Sequence, residues 1–143
     1  MACANPRPVL MIAAVAIASA GGIGVVPVAR AATQVVGNCN DDGAGSLRAA
    51  VAGATTGDTV DMRGLRCPTI ALTRRIDVPQ ADLAILGPGL SRLAIDADYE
   101  DRLFLHVGNG TLRLNGMTLA RGRELAQEAL GGCLRSMGNV TLA

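Results

Sequence analysis

The feature that most constrains this chain is that it repeats itself. Leu83-Ala84-Ile85-Leu86-Gly87 is matched 29 positions later by Leu112-Arg113-Leu114-Asn115-Gly116, and Val140-Thr141-Leu142 follows Leu112-Arg113-Leu114 by 28. Similarity at a fixed spacing of this size marks stacked units, none of which can bury its apolar face alone. From Thr59 onward short strand-like pieces alternate with Gly, Pro, Asn and Asp: Thr59 to Met62, Thr69 to Leu72, Ile76 to Val78, Leu83 to Leu86, Leu93 to Ile95, Leu103 to Val107, Thr111 to Leu114, Met117 to Leu119 and Asn139 to Leu142. About three short strands per repeat is what one turn of a three-sided coil requires. Side-chain alternation would then stack Leu83, Ile85, Leu112, Leu114, Val140 and Leu142 as an inward ladder. Gly87 and Gly116 would mark the same bend in successive turns. The expected fold is all-β, a right-handed parallel β-helix. The competing arrangement is a small antiparallel sandwich, whose strands are also short and punctuated.

Composition suits the coil. Tyr99 and Phe104 are the only aromatic residues, so Leu, Ile, Val, Ala and Met must fill the interior, which favours narrow repetitive packing. Ahead of the first repeat, Gln34 to Val36 reads as a strand and 37–45 as a loop of turn formers. Ser46 stands as N-cap to a short helix near 46–53, with Leu47, Ala50, Val51 and Ala54 on one face before Gly53 and Gly57 end the pattern. Such a helix is a lid for the first turn, whose open end would otherwise expose apolar interior and unpaired backbone. Arg48 on that helix is expected to pair with Asp41, Asp42 or the carbonyls of a turn.

The first 31 residues read as a cleavable secretory signal and 32–143 as the mature domain. Arg7 supplies the positive start, Val9 to Ala29 carries no charge, and Ala29-Arg30-Ala31 offers the small residues a signal peptidase reads. The competing retained anchor is weakened by Gly21, Gly22, Gly24 and Pro27. Removing Arg7 and Arg30 leaves eleven Arg against twelve acidic residues, a formal charge of −1. That balance, with the Arg scattered, argues against nucleic acid and anionic membrane as partners. The expected location is secreted, periplasmic or on the cell surface. An oxidising compartment lets cysteines pair. Cys39 and Cys67 flank the first unit and are expected to form a disulfide; metal binding competes, but the chain has no Cys-x-x-Cys and a single His, His106. Cys133 is left over, either as a buried free thiol or as half of a pair made outside this sequence.

At Asn40-Asp41-Asp42-Gly43-Ala44-Gly45-Ser46-Leu47-Arg48-Ala49-Ala50-Val51, then Gly57-Asp58-Thr59-Val60-Asp61, Leu86-Gly87-Pro88-Gly89 and Leu93-Ala94-Ile95-Asp96, the chain resembles the N-terminal region of bacterial exported parallel β-helix proteins. These are the polymorphic-outer-membrane-protein and autotransporter-passenger-like groups. The resemblance runs from about Gln34 to the end. It implies a capped β-helix serving as a stalk, passenger or adhesin-like shaft, with Ser46, Leu47, Arg48, Gly87 and Gly116 in structural roles. Similar proteins continue for several more coils, whereas this sequence stops just after a strand-like Val140-Thr141-Leu142. The expectation is therefore of a fragment, or of a last coil covered by something else.

Candidate chemistry is sparse. Asp96-Ala97-Asp98-Tyr99-Glu100-Asp101 gathers four carboxylates beside Arg102, and Asp96, Asp98 and Asp101 could form a calcium site of the kind polysaccharide lyases use, with Arg as base. The alternative is a solvated turn between Ile95 and Leu103. His106, inside an apolar strand without a nucleophile context, reads as outward or packed. Arg123 to Leu130 reads as a helical excursion from the coil. The expected function is an exported structural or adhesin-like protein, with no catalytic residues and no cofactor. Partners would be surface carbohydrate or another cell-surface protein. The alternative is part of a calcium-assisted polysaccharide lyase.

Overall fold

A computed structural model describes residues 30–124 and 132–143. The signal segment up to residue 29, and all of the expected Arg123–Leu130 excursion beyond Glu124, lie outside the described residues. The chain forms a parallel β-solenoid of about four turns. The strands are β1 (Thr33–Val35), β2 (Thr59–Asp61), β3 (Thr69–Ala71), β4 (Ile76–Val78), β5 (Leu83–Leu86), β6 (Ala94–Asp96), β7 (Phe104–His106), β8 (Thr111–Asn115), β9 (Thr118–Ala120), β10 (Leu134–Ser136) and β11 (Asn139–Leu142), with one helix, α1 (Leu47–Gly53). Three sheets make the three sides: β1-β2-β5-β8-β11, β4-β7-β10 and β3-β6-β9. Every pairing is parallel, which removes the sandwich from consideration.

The 29- and 28-residue repeats are the register of the first sheet. Leu83 pairs with Leu112 and Ile85 with Leu114, while Val140 and Leu142 continue onto Leu112 and Leu114. Alternation buries Val60, Leu83, Ile85, Leu112 and Leu114 inward; Ile70, Ile95, Ile76, Val78 and Phe104 fill the same interior from the other two sides. The last rung departs from expectation: Val140 is 37% and Leu142 63% exposed, because no further strand in the described chain lies over β11. Strand β10 was not foreseen. Leu134-Arg135-Ser136 has weak strand character, yet it pairs with β7 and completes the second side.

Gly87 and Gly116 occupy one bend in adjacent turns, and the backbone there comes too close for side chains. A Cβ on Gly87 would run into the Gly116 carbonyl, and Gly116 adopts φ 69°. At the other end, α1 closes the coil. Ser46 Oγ accepts from the Ala49 amide (3.1 Å), and Leu47, Ala50 and Val51 turn their apolar face into the interior. The Cys39–Cys67 disulfide, with Cα atoms 6.5 Å apart, ties the loop before α1 to the segment entering β3.

Candidate functional site

Stacking brings polar residues about one turn apart into contact at three places. The first is under the cap. The Arg48 guanidinium donates to the carbonyls of Arg75 (2.7 Å) and Arg74 (2.8 Å) and pairs with Asp41 (2.5 Å). Asp41 also accepts from the amide and hydroxyl of Thr73. Burial alone would raise the Asp41 carboxyl, but the Thr73 and Arg48 hydrogen bonds outweigh it and hold it below the ordinary aspartate value. Asp42 pairs instead with Arg74.

The second place is a polar spine at the corner following β4 and β7. Gln80 Nε2 donates to the carbonyls of Val51 and Ala54 (both 2.8 Å), at the C-terminal end of α1. The Gln80 carbonyl faces His106 Nε2 (2.9 Å), with the Ala81 carbonyl at 3.2 Å. Because both of those groups only accept, the ring proton is assigned to Nε2 and Nδ1 accepts from Ser136 Oγ (2.7 Å). Ser136 Oγ in turn accepts from the Gly138 amide (3.1 Å). Ser136 and His106 therefore stand at nucleophile-to-base distance. The imidazole is fully buried, however, and its outer nitrogen meets carbonyls rather than a carboxylate, so the pair spans coils as a strut.

The third place is the acidic corner. Arg121, from the next turn, sets its guanidinium bidentately on Asp96 through Nε (2.9 Å) and Nη2 (2.5 Å) and reaches Asp98 through Nη1 (2.6 Å). Those bonds, led by Arg121 and joined by the Asp98 amide, hold the Asp96 carboxyl below its ordinary value against the opposing effect of burial. The backbone is left-handed at Asp98 (φ 47°), Tyr99 (φ 66°) and Arg121 (φ 49°), a set fixed by the Tyr99 amide donating to the Arg121 carbonyl (2.7 Å). Asp101 turns elsewhere: its carboxylate accepts from the amides of Arg102 (2.7 Å) and Arg75 (3.2 Å).

The three candidate calcium ligands are thus not brought together, since a guanidinium occupies Asp96 and Asp98 while backbone amides take Asp101. Among the described residues no three His, Cys, Asp or Glu side chains stand where they could hold a metal ion. Nor does Arg102 present its guanidinium at a shared acidic site, although its amide is bonded to Asp101. It is buried and paired with Glu124, and burial, with Arg135 and Arg75 nearby, lowers its affinity for the proton. At this corner the residue missed from sequence is Arg121. One turn's length, counted forward from Asp96, lands on it.

Cys133 is a free, half-buried thiol. Among the described residues no helix is long and apolar enough to cross a membrane. The chain matches no family model, no curated protein and no solved structure.

Proposed function

We propose that this chain is an exported, adhesin-like structural β-helix of the bacterial surface type. In that reading its coils are the scaffold and its corners the surface offered to carbohydrate or to another cell-surface protein. The observation that carries it is the use the fold makes of charge. Asp41, Asp96 and Asp98 are each held by an arginine that spans coils or joins the cap to the body, and in the spine the Gln80 amide nitrogen and both His106 ring nitrogens are spent on backbone carbonyls and on Ser136. A shaft that must resist unwinding needs such cross-coil links. The segment up to Ala31, with its charged start and small-residue end, supports export.

Two experiments test the reading. Residues 1–31 fused ahead of a reporter that lacks its own leader should drive its export with cleavage after Ala31; retention in the cytoplasm would remove the export half. The purified protein incubated with pectate or alginate and Ca²⁺ should release no unsaturated product. Turnover that disappears on Asp96→Asn and Asp98→Asn would replace the scaffold reading with a lyase.

A further inference from the structure

Asp58 and Asp96 are the buried aspartates among the described residues, and they are served differently. Asp96 has the Arg121 guanidinium. Asp58 is only 3% exposed, and among the described residues no arginine pairs with it. Its carboxylate takes three neutral donors instead: Oδ2 accepts from the Thr55 amide (2.7 Å) and hydroxyl (3.0 Å), and Oδ1 from the Ala32 amide (2.7 Å). The turn that carries Asp58 is fixed from both sides, because its amide donates to the Thr55 carbonyl (3.1 Å) and its carbonyl accepts from the Ala84 amide (3.2 Å). Ala32 is clamped as well. Its carbonyl accepts from the Thr59 amide (2.9 Å), one rung ahead of the Thr33 and Thr59 pairing that begins β1 on β2. The nitrogen that meets this buried carboxylate is the same one that hydrolysis after Ala31 would free.

We propose that Asp58 is the receptor for the N-terminus made by processing, an ion pair between its carboxylate and the Ala32 ammonium that anchors β1 on the coil. The proposal rests on the export reading above, with its cleavage after Ala31. In that step the C–N bond between Ala31 and Ala32 breaks. Water supplies a hydroxyl to the Ala31 carbonyl carbon and a hydrogen to the nitrogen, and the proton shed by the new carboxyl balances the one the amine takes up. A neutral N–H donor thus becomes a cation against a carboxylate that the fold has already desolvated and that the Thr55 and Ala32 amides hold below its ordinary value. Ala32 is exposed, so the ammonium keeps water on its outer side and the pair avoids the desolvation of two buried ions. The carboxylate favours the charged amine, which raises its affinity for the proton. Its stabilisation is therefore complete below about pH 8 and is lost as pH rises through the folded value. The other ionisable side chains on the elements packed around Ala32 have donors or acceptors of their own: Asp61 on β2 has Arg63, Arg48 on α1 has Asp41, and Asp82 before β5 accepts from the Thr111 amide.

The chain holds no lysine, so its α-amine is its only amine and can be acetylated selectively. A chain released from a fusion with Ala32 first keeps every strand and the cap helix, and acetylation returns the nitrogen to the amide of the uncut protein. At pH 7 acetylation should lower its melting temperature by about 4 °C or more, and the difference should vanish as the pH is raised past the titration of the amine. The same treatment of a chain that starts at Arg30 should change nothing, nor should it in Asp58→Asn. The free Ala32 amine should acylate about tenfold more slowly at pH 7 than that of Asp58→Asn, because only the unprotonated amine reacts. Equal melting of the free and acetylated Ala32 chains, or an equal loss in the chain that starts at Arg30, would overturn the receptor; this comparison needs no substitution and decides the matter if Asp58→Asn does not fold. Equal amine reactivity with and without the carboxylate would overturn it too. N-terminal sequencing of the exported protein tests the premise separately: Ala32 first is expected, and any other first residue would remove the occupant from the site and overturn the proposal through the export reading, whatever the defined chains show.

Discussion

His106 shows what a single residue does in this interior. A fully buried imidazole is costly unless both nitrogens are engaged, and here one donates toward the turn before it while the other accepts from the turn after. Ser136 is the far end of that chain, serving His106 Nδ1 and the Gly138 amide with one oxygen. Ser136→Ala leaves the ring nitrogen without its donor and the amide without its acceptor. The expected loss is about 1–3 kcal/mol, read as a lower denaturation midpoint at unchanged slope. An unchanged midpoint would mean that water replaces the hydroxyl at both groups. None of this spine was legible from sequence. Gln80, His106 and Ser136 lie 26 and 30 residues apart and share no motif; only the stacking of turns makes them neighbours.

At the level of the element, legibility followed the evenness of the spacing. The first sheet was readable because β5, β8 and β11 recur at 29 and 28 residues, and Gly87 and Gly116 end two of them alike. The second sheet steps by 28 and then 30, and its last strand is Leu-Arg-Ser, with no β-branched or aromatic residue to announce it. The third steps by 25 and 24, so a search at one fixed period passes it by. The helix was legible for a local reason, an N-cap serine ahead of an apolar face, and its observed span Leu47–Gly53 agrees within a residue. The Cys39–Cys67 disulfide belongs to the same cap. It closes a loop of 28 residues, for which the chain-entropy argument gives roughly 3–4 kcal/mol. Cys39→Ser should lower unfolding stability by about that amount, and reductant should do the same to the parent protein; equal melting with and without reductant would contradict the role given to the bridge.

For the whole molecule, four aspartates act in one direction. Asp41, Asp58, Asp61 and Asp96 all sit below the ordinary value of 3.8 when folded: Asp41 despite its burial, Asp58 through the Thr55 and Ala32 amides, Asp61 through Arg63 and Asp96 through Arg121. A carboxyl whose folded value is depressed stabilises fully above its unfolded value and ceases to do so as pH falls through the folded one. The melting temperature should therefore hold level from neutrality to about pH 5 and fall progressively in more acid solution. A decline already under way between pH 7 and 6 would point to a different group.

The sulfur bridge at the cap also gives the protein a memory of where it matured. Folded among oxidants, the lid is latched to the body before a neighbour can touch the apolar shaft beneath. Folded where thiols stay reduced, the same sequence has a lid held by packing and by the Arg48, Gln80 and Asp41 contacts without a covalent tie, easier to lift and quicker to expose what it hides. Two preparations identical in amino-acid sequence can thus differ in how readily they clump, according to the chemistry of the compartment in which each was made.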